Sequence, residues 1–468
     1  MSPQLIRLLD DLNDTEYQEI SQSKINTGVP AWIIPRGESG YRIIDNIFAE
    51  DFCTEYKLKC INGLLYDENG RVDDRKIKAY IHNAIKPWCD TGLSNRTTSL
   101  LDAVKNEAFC QAPEINPDII HCIDGAIKIN PDGSVKYMER EFALNRVNAS
   151  IQLTNAKPER WLAFLNDLLE PEDILTLQEF LGYCLIPTTR AQVMLFLIGR
   201  GGEGKSRIGV VFNAILKASM IIGKLNDLQD DKFAGAQLES RLLFIDDDLK
   251  GSKLKDTDMI KSIVTAETPM LVQRKGVDPY SVNLYSRIMA FGNQAMSSMF
   301  DRSDGFYRRQ IILECKKKPE GREDDTGLSG KLLKEQQQIF SWMVSGLQRL
   351  VKNKFRFTRS ERSLNYMQNL KENDLNVISF LQDDSAVEFG ATYETTSRDL
   401  YDAYYRWCSA NAEQPLAERT VLSYLKNNAD RYGIKFDNHI IKPGESGRYR
   451  GYKGIRVSFH GYFRVPNY

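Results

Sequence analysis

The chain contains Gly199-Arg200-Gly201-Gly202-Glu203-Gly204-Lys205-Ser206, which fits the phosphate-loop pattern G-x-x-x-x-G-K-[ST]. The chemistry this spacing serves is the holding of a nucleoside triphosphate. Glycines let the backbone curl until its N–H groups point inward, and a following helix adds positive potential at its start. Lys205 is placed to reach the β- and γ-phosphates, and the Ser206 hydroxyl to ligate Mg²⁺. The expected nucleotide contacts are Gly199, Gly201, Gly202, Glu203, Gly204, Lys205, Ser206 and Arg207.

Three further sets of residues complete the chemistry. An apolar run ends in Asp246-Asp247-Asp248, and adjacent carboxylates repel unless a cation offsets them. Asp246 is expected to act with Ser206 on the metal and Asp247 to polarise the attacking water, with the register open by one residue. A second run, residues 284–292, ends at Asn293, whose amide suits a sensor of the γ-phosphate. Arg308 and Arg309 then precede the apolar run 310–313. Guanidinium groups stay charged and bind oxyanions bidentately, so this pair suits a phosphate in a neighbouring subunit.

These residues need elements to position them. Residues 192–198 (QVMLFLI) read as a buried parallel strand, and residues 206–218 repeat apolar positions at helical spacing. Between the acids and Asn293, residues 270–280 place a basic tip, Arg274 and Lys275, between apolar flanks, which reads as a hairpin. Alone, Lys275 is either a surface charge or a DNA contact.

Composition sets the frame. A chain of 468 residues has room for about three domains. Net charge is −1, so any nucleic-acid surface must be local. The eight cysteines contain no C-x-x-C pair, which fits neither a disulfide framework nor a zinc site. Neither a signal-peptide core nor a membrane-spanning stretch is found, so a soluble protein of a reducing, bacterial host cytoplasm is expected, with no membrane partner.

The order phosphate loop, acid strand, basic hairpin, Asn strand and Arg pair resembles the superfamily 3 helicases, an AAA+ group, in their phage, plasmid and mobile-element branch. DRSDGFYRR (residues 301–309) resembles that branch's arginine-finger segment. FLGYCLIPTTRAQVMLFLIGRGGEGKS (residues 180–206) resembles its entry into the ATPase core, and HCIDGAIKI (residues 121–129) the start of the preceding helical domain. One departure is the triple aspartate, where many phage relatives carry Glu second. The resemblance implies an α/β, AAA+ parallel-sheet core with a helical collar before it and a C-terminal winged helix. It further implies a hexameric ring hydrolysing ATP with Mg²⁺, with Arg308 or Arg309 acting on the neighbour's nucleotide. Arg274 and Lys275 would grip single-stranded DNA during unwinding. The implied activity is that of a replicative DNA helicase of a phage or mobile element, with an initiator role open beside it. The alternative is an origin-binding ATPase that recruits another helicase.

The flanks are read more coarsely: an α+β region of unassigned role over 1–110, a helical collar over 111–190, the core over 191–358 and a DNA-binding domain over 375–468. Residues 1–110 are short for a primase, so a helicase without primase is expected, with a separate primase as a candidate partner. A helix over 332–351 reads as a lid. At the far end Lys442, Arg448, Arg450 and Lys453 lie among tyrosines in a ribbon suited to duplex origin DNA.

Overall fold

The computed structural model describes residues 29–36, 40–231, 233–249, 257–296, 304–319, 321, 325–373, 376–441 and 447–458. Its centre is a parallel sheet of five strands: β1 (Met194–Ile198), β2 (Met220–Ile222), β3 (Leu243–Leu249), β4 (Arg287–Gly292) and β5 (Gln310–Glu314). Their order across the sheet is β2-β3-β4-β1-β5. Every residue of β1 and β4 is buried, because side chains alternate between two covered faces. Leu195, Leu197, Ile245 and Phe291 join one apolar cluster, while Met194, Phe196, Phe244 and Ala290 join the other.

The first face is covered by helix α3 (Ser206–Leu216), which buries Ile208, Val211, Phe212 and Ile215 there. Behind it lie α1 (Glu159–Leu168), α2 (Pro171–Tyr183) and α4 (Gln336–Lys352). Helices α2 and α4 cross at a glycine pair. A Cβ on Gly182 would lie 2.3 Å from the Met343 carbonyl, and one on Gly346 2.4 Å from that of Gln178. No larger residue fits the crossing. Just before α4, the Glu335 carboxylate accepts from the Arg160 and Trp161 N–H groups, both at 3.0 Å. It caps α1, whose own N-cap residue is Pro158, without a side-chain acceptor. The helix expected over 332–351 is divided: Leu328–Leu333 is separate from α4.

Residues 111–190, expected to be helical, open instead on an antiparallel sheet of Ile119–His121, Ala126–Ile129 and Val135–Met138. HCIDGAIKI therefore carries the Asp124-Gly125 turn of a hairpin that pairs Ile119–His121 with Ala126–Ile129. The helical part begins only at Glu159.

Among the described residues, the N-terminal segment forms two small antiparallel sheets and the helices Asp45–Tyr56, Asp74–Ile85 and Leu93–Glu107 around an apolar core of its own. The C-terminal segment runs helix, strand, helix, helix, ribbon. Asn376–Leu381, Ser397–Ala410 and Glu418–Asn427 pack on strands Val387–Thr396, Lys435–Ile441 and Arg448–Val457. No helix among the described residues is long and apolar enough to cross a membrane.

Candidate active site

The glycine-rich loop joins β1 to α3. Its backbone is left-handed at Gly201 (φ 107°), Gly202 (φ 81°) and Gly204 (φ 107°), a region in which a side chain is strained. The Gly199 N–H donates to the Gly292 carbonyl at 3.0 Å, which ties the loop to β4 immediately before Asn293.

Glu203 braces the loop from within. Its carboxylate accepts from the Gly201 N–H at 2.9 and 3.0 Å and from the Lys205 ammonium at 2.8 Å. Only 4% of the Glu203 side chain and 10% of that of Lys205 are exposed. Burial alone would raise the Glu203 carboxyl, but the Lys205 ammonium and backbone donors outweigh it and hold the group below its usual range. Lys205 is thus held at the loop by an internal anion. At the start of α3, Arg207 donates to the Ser329 hydroxyl at 2.9 Å.

Gly201 through Arg207 line a cavity of about 740 Å³. Its other walls are Arg160, Phe164 and Asp167 of α1, Asp247 and Asp248 of β3, and Asn293 after β4. Gly199 lies at the base of the loop, outside this lining. Because β4 is the neighbour of β1, Asn293 emerges beside the loop.

Asp246 is placed differently from Asp247. Its side chain is 3% exposed and accepts from the Leu225 N–H at 2.8 Å, the Asp248 N–H at 3.1 Å and the Lys224 ammonium at 3.3 Å. It does not line the cavity. Strand alternation explains the split: Asp246 follows the face of Phe244, while Asp247 follows that of Ile245, where α3 lies. Register slips between Asp246 and Leu249, and Asp248 also reaches the cavity.

Lys224 was missed in the sequence. It sits after β2 with its ammonium 3.3 Å from Asp246 and 3.4 Å from Asp247. Burial would lower its pKa, but the two carboxylates raise it overall. It supplies the cation that three adjacent aspartates require, and a lone lysine 22 positions before Asp246 gave no signal of this.

Arg308 and Arg309 stand at the start of β5, and neither lines the cavity. In a parallel sheet this edge is opposite the loop, about 16 Å away over five residues. Arg308 is exposed, whereas Arg309 donates to the Gly305 carbonyl. Residues 301–303 of the expected finger segment lie outside the described residues.

The basic hairpin is formed by Met270–Val272 and Tyr280–Val282. Its two cations differ. Lys275 is exposed at the tip. Arg274 folds back, donating to the Asn62 carbonyl, covering the Tyr280 ring at 4.8 Å and lying 3.9 Å from Glu239. Glu239, 2% exposed, also accepts from the Asn62 amide at 2.8 Å. Arg274, expected as a DNA contact, braces hairpin, core and N-terminal segment in this structure.

On the C-terminal ribbon Arg448 and Arg450 are exposed. Lys453, also expected as a DNA contact, pairs with Asp437 at 3.0 Å and Glu394 at 3.5 Å. Lys442 lies outside the described residues.

A family model described only as a family of unknown function, DUF5906, matches residues 197–309, from the loop to the arginine pair. Among curated proteins no match is found. Among solved structures, the apo C-terminal region of NrS-1 is similar with 12% identity and a TM-score of 0.47, covering 89% of this chain and 100% of that one. A second apo form of that region gives 13%, 0.46, 87% and 99%. A JCV helicase gives 13% identity and a TM-score of 0.25, covering 49% of this chain and 65% of its own. Likenesses at this level carry no functional statement.

Proposed function

We propose that the chain is an ATP-driven DNA helicase of the AAA+ type, assembled as a ring, with its nucleotide in the cavity beside the phosphate loop. The observation that carries this reading is the convergence on one 740 Å³ cavity of Gly201 to Arg207, Asp247 and Asn293, drawn from three adjacent parallel strands. The volume lies within the range of small-molecule sites. A sheet in which the Asn strand separates the loop strand from the acid strand also suits the AAA+ reading.

The residues fit both ligands. The loop's curled backbone and Lys205 suit phosphates, and the Ser206 hydroxyl with the Asp247 carboxylate forms a hard-oxygen set suited to Mg²⁺. When bound, Mg²⁺ would neutralise charge developing on the transferred phosphoryl group. Lys205 would turn from Glu203 toward the β- and γ-phosphates. In this reading Asp247 takes the metal-side role first given to Asp246, Asp248 faces the water, and Asn293 senses the γ-phosphate. Asp246 and Lys224 position the acid strand. Because Arg308 and Arg309 lie at the opposite sheet edge, they would serve a neighbouring subunit's site. Lys275 would contact single-stranded DNA, and the C-terminal helix-ribbon unit would act as a winged helix on duplex DNA through Arg448 and Arg450.

The test is strand displacement on a forked duplex with ATP and Mg²⁺, beside ATP hydrolysis. Displacement that disappears in Lys205→Ala is expected. Hydrolysis without displacement would instead favour an origin-binding ATPase.

A further inference from the structure

The N-terminal segment carries a second, larger cleft that the nucleotide reading leaves unused. It measures about 980 Å³ and lies between the hairpin Ile33–Pro35/Tyr41–Ile43 and the start of helix Leu93–Glu107. Its lining is mostly polar. Arg36 and Arg42 stand on its hairpin wall, both exposed, and neither has an ion-pair partner among the described residues. The two exposed guanidinium groups bring positive charge to one wall of the cleft.

The cleft also holds an aromatic platform. Tyr41 is 46% exposed, and its ring packs perpendicular to that of Trp88, with centroids 4.9 Å apart at 89°. That contact fixes the ring while leaving a face open. On the opposite wall Gly92, Asn95, Arg96 and Ser99 follow one another at helical spacing. Arg96 is structural, bonded to the Ile43 carbonyl at 2.9 Å and paired with Asp45, so it holds the helix to the hairpin. Asp45 is thereby neutralised, and Asp90 is the other acid of the lining.

A flat ring, two exposed guanidinium groups and amide side chains in an open groove match what single-stranded nucleic acid requires. Bases stack on aromatic faces without regard to sequence, and phosphates follow the cations. An acidic peptide would use the arginines but has no need of an exposed ring.

We propose that this cleft is a single-stranded nucleic-acid site, with a base on Tyr41 and phosphates on Arg36 and Arg42. The site is independent of the phosphate loop. It would keep a strand in place while the nucleotide site cycles.

The test uses the full chain and a fluorescein-labelled oligothymidylate, followed by anisotropy without nucleotide over a range of salt. Arg36→Ala combined with Arg42→Ala should weaken binding about tenfold and lower the salt slope by about 1.4, the amount for two single-strand phosphate contacts. Tyr41→Ala should weaken binding at least about fivefold, while Tyr41→Phe, which keeps the ring, should bind as the wild type does. Hydrolysis of ATP without DNA should be unchanged in all of them, and thermal melting should confirm their folding. Unchanged oligothymidylate binding by the double variant and by Tyr41→Ala would overturn the proposal. So would a loss confined to duplex DNA or to a polyglutamate competitor.

Discussion

The phosphate-loop cleft and the C-terminal ribbon both gather residues spaced for phosphates, yet they hold them in opposite ways. In the cleft, Glu203 and Lys205 are buried and bonded to one another, and Asp246, behind the cavity wall, is buried and bonded to named partners. On the ribbon, Arg448 and Arg450 are exposed, and Lys453 is satisfied by two neighbouring acids. A buried charge without a partner is costly, so burial fixes each group's geometry. An exposed charge is screened and contributes a modest, additive amount. Changes in the cleft should therefore be large and specific, and changes on the ribbon small and graded.

The largest effect is expected from Lys205→Ala. ATP hydrolysis should fall by about 100-fold or more, as for loss of a preorganised charge at the reacting centre. The same change leaves the Glu203 carboxylate buried without its ammonium and should destabilise the fold by about 1–3 kcal/mol. Adding Glu203→Gln should restore the melting midpoint but not the activity. Recovery of both together would mean that the two roles are not separate.

Next come the neighbouring acids. Asp247→Asn should abolish turnover and leave the melting midpoint near that of the wild type. Asp246→Asn should do the reverse in emphasis: about 1–3 kcal/mol of stability lost, because the carboxylate serves Leu225, Asp248 and Lys224. Denaturant titration beside steady-state hydrolysis separates the two. Equal loss of turnover with unchanged stability in both variants would break the distinction between cavity acid and positioning acid.

The hairpin gives a smaller contrast of the same kind. Arg274→Ala should loosen the junction with Asn62 and Glu239 and lower the melting midpoint by a few degrees, an expected cost of about 1 kcal/mol. Lys275→Ala should leave the midpoint unchanged and remove stimulation of hydrolysis by single-stranded DNA.

His121 carries the rule to acid pH. Burial, with Arg146 adding repulsion, lowers its pKa from 6.5 to about 4. The unfolded chain therefore binds the proton first, so stability is fully present above pH 6.5 and is lost as pH falls toward 4. Urea midpoints should decline across that window, and His121→Gln should flatten the decline.

The smallest effects belong to the ribbon. Arg448→Ala and Arg450→Ala should each lower the salt slope of duplex binding by about 1. Lys453→Ala should change it less, since its charge is already offset. A Lys453 effect as large as that of Arg448 would mean that the ion pairs with Asp437 and Glu394 open on binding.

Much of the core was legible in the chain. QVMLFLI, the acid run, residues 284–292 and residues 310–313 each contain a strand of one parallel sheet. The hairpin over 270–280 is there too. Long apolar runs and glycine patterns are local signals, and local signals survive folding. HCIDGAIKI differs from its resemblance because its central Asp-Gly favours a turn, and the flanking residues pair as strands. Lys224 and Glu239 were illegible for a different reason: each acts through partners brought near only by the fold.

What the sequence determined by itself is the loop, the strands and the residue types that can meet a phosphate. Their spacing is covalent, so it needs no fold to be read. Tertiary structure decided which of three consecutive aspartates faces the cavity, through strand alternation and a slip in register. It also decided that Arg274 braces while Lys275 is exposed, and that Arg308 and Arg309 lie at the opposite end of the strands from their own loop. Those choices depend on which faces the sheet buries and how its strands are ordered, and neither is written in local spacing.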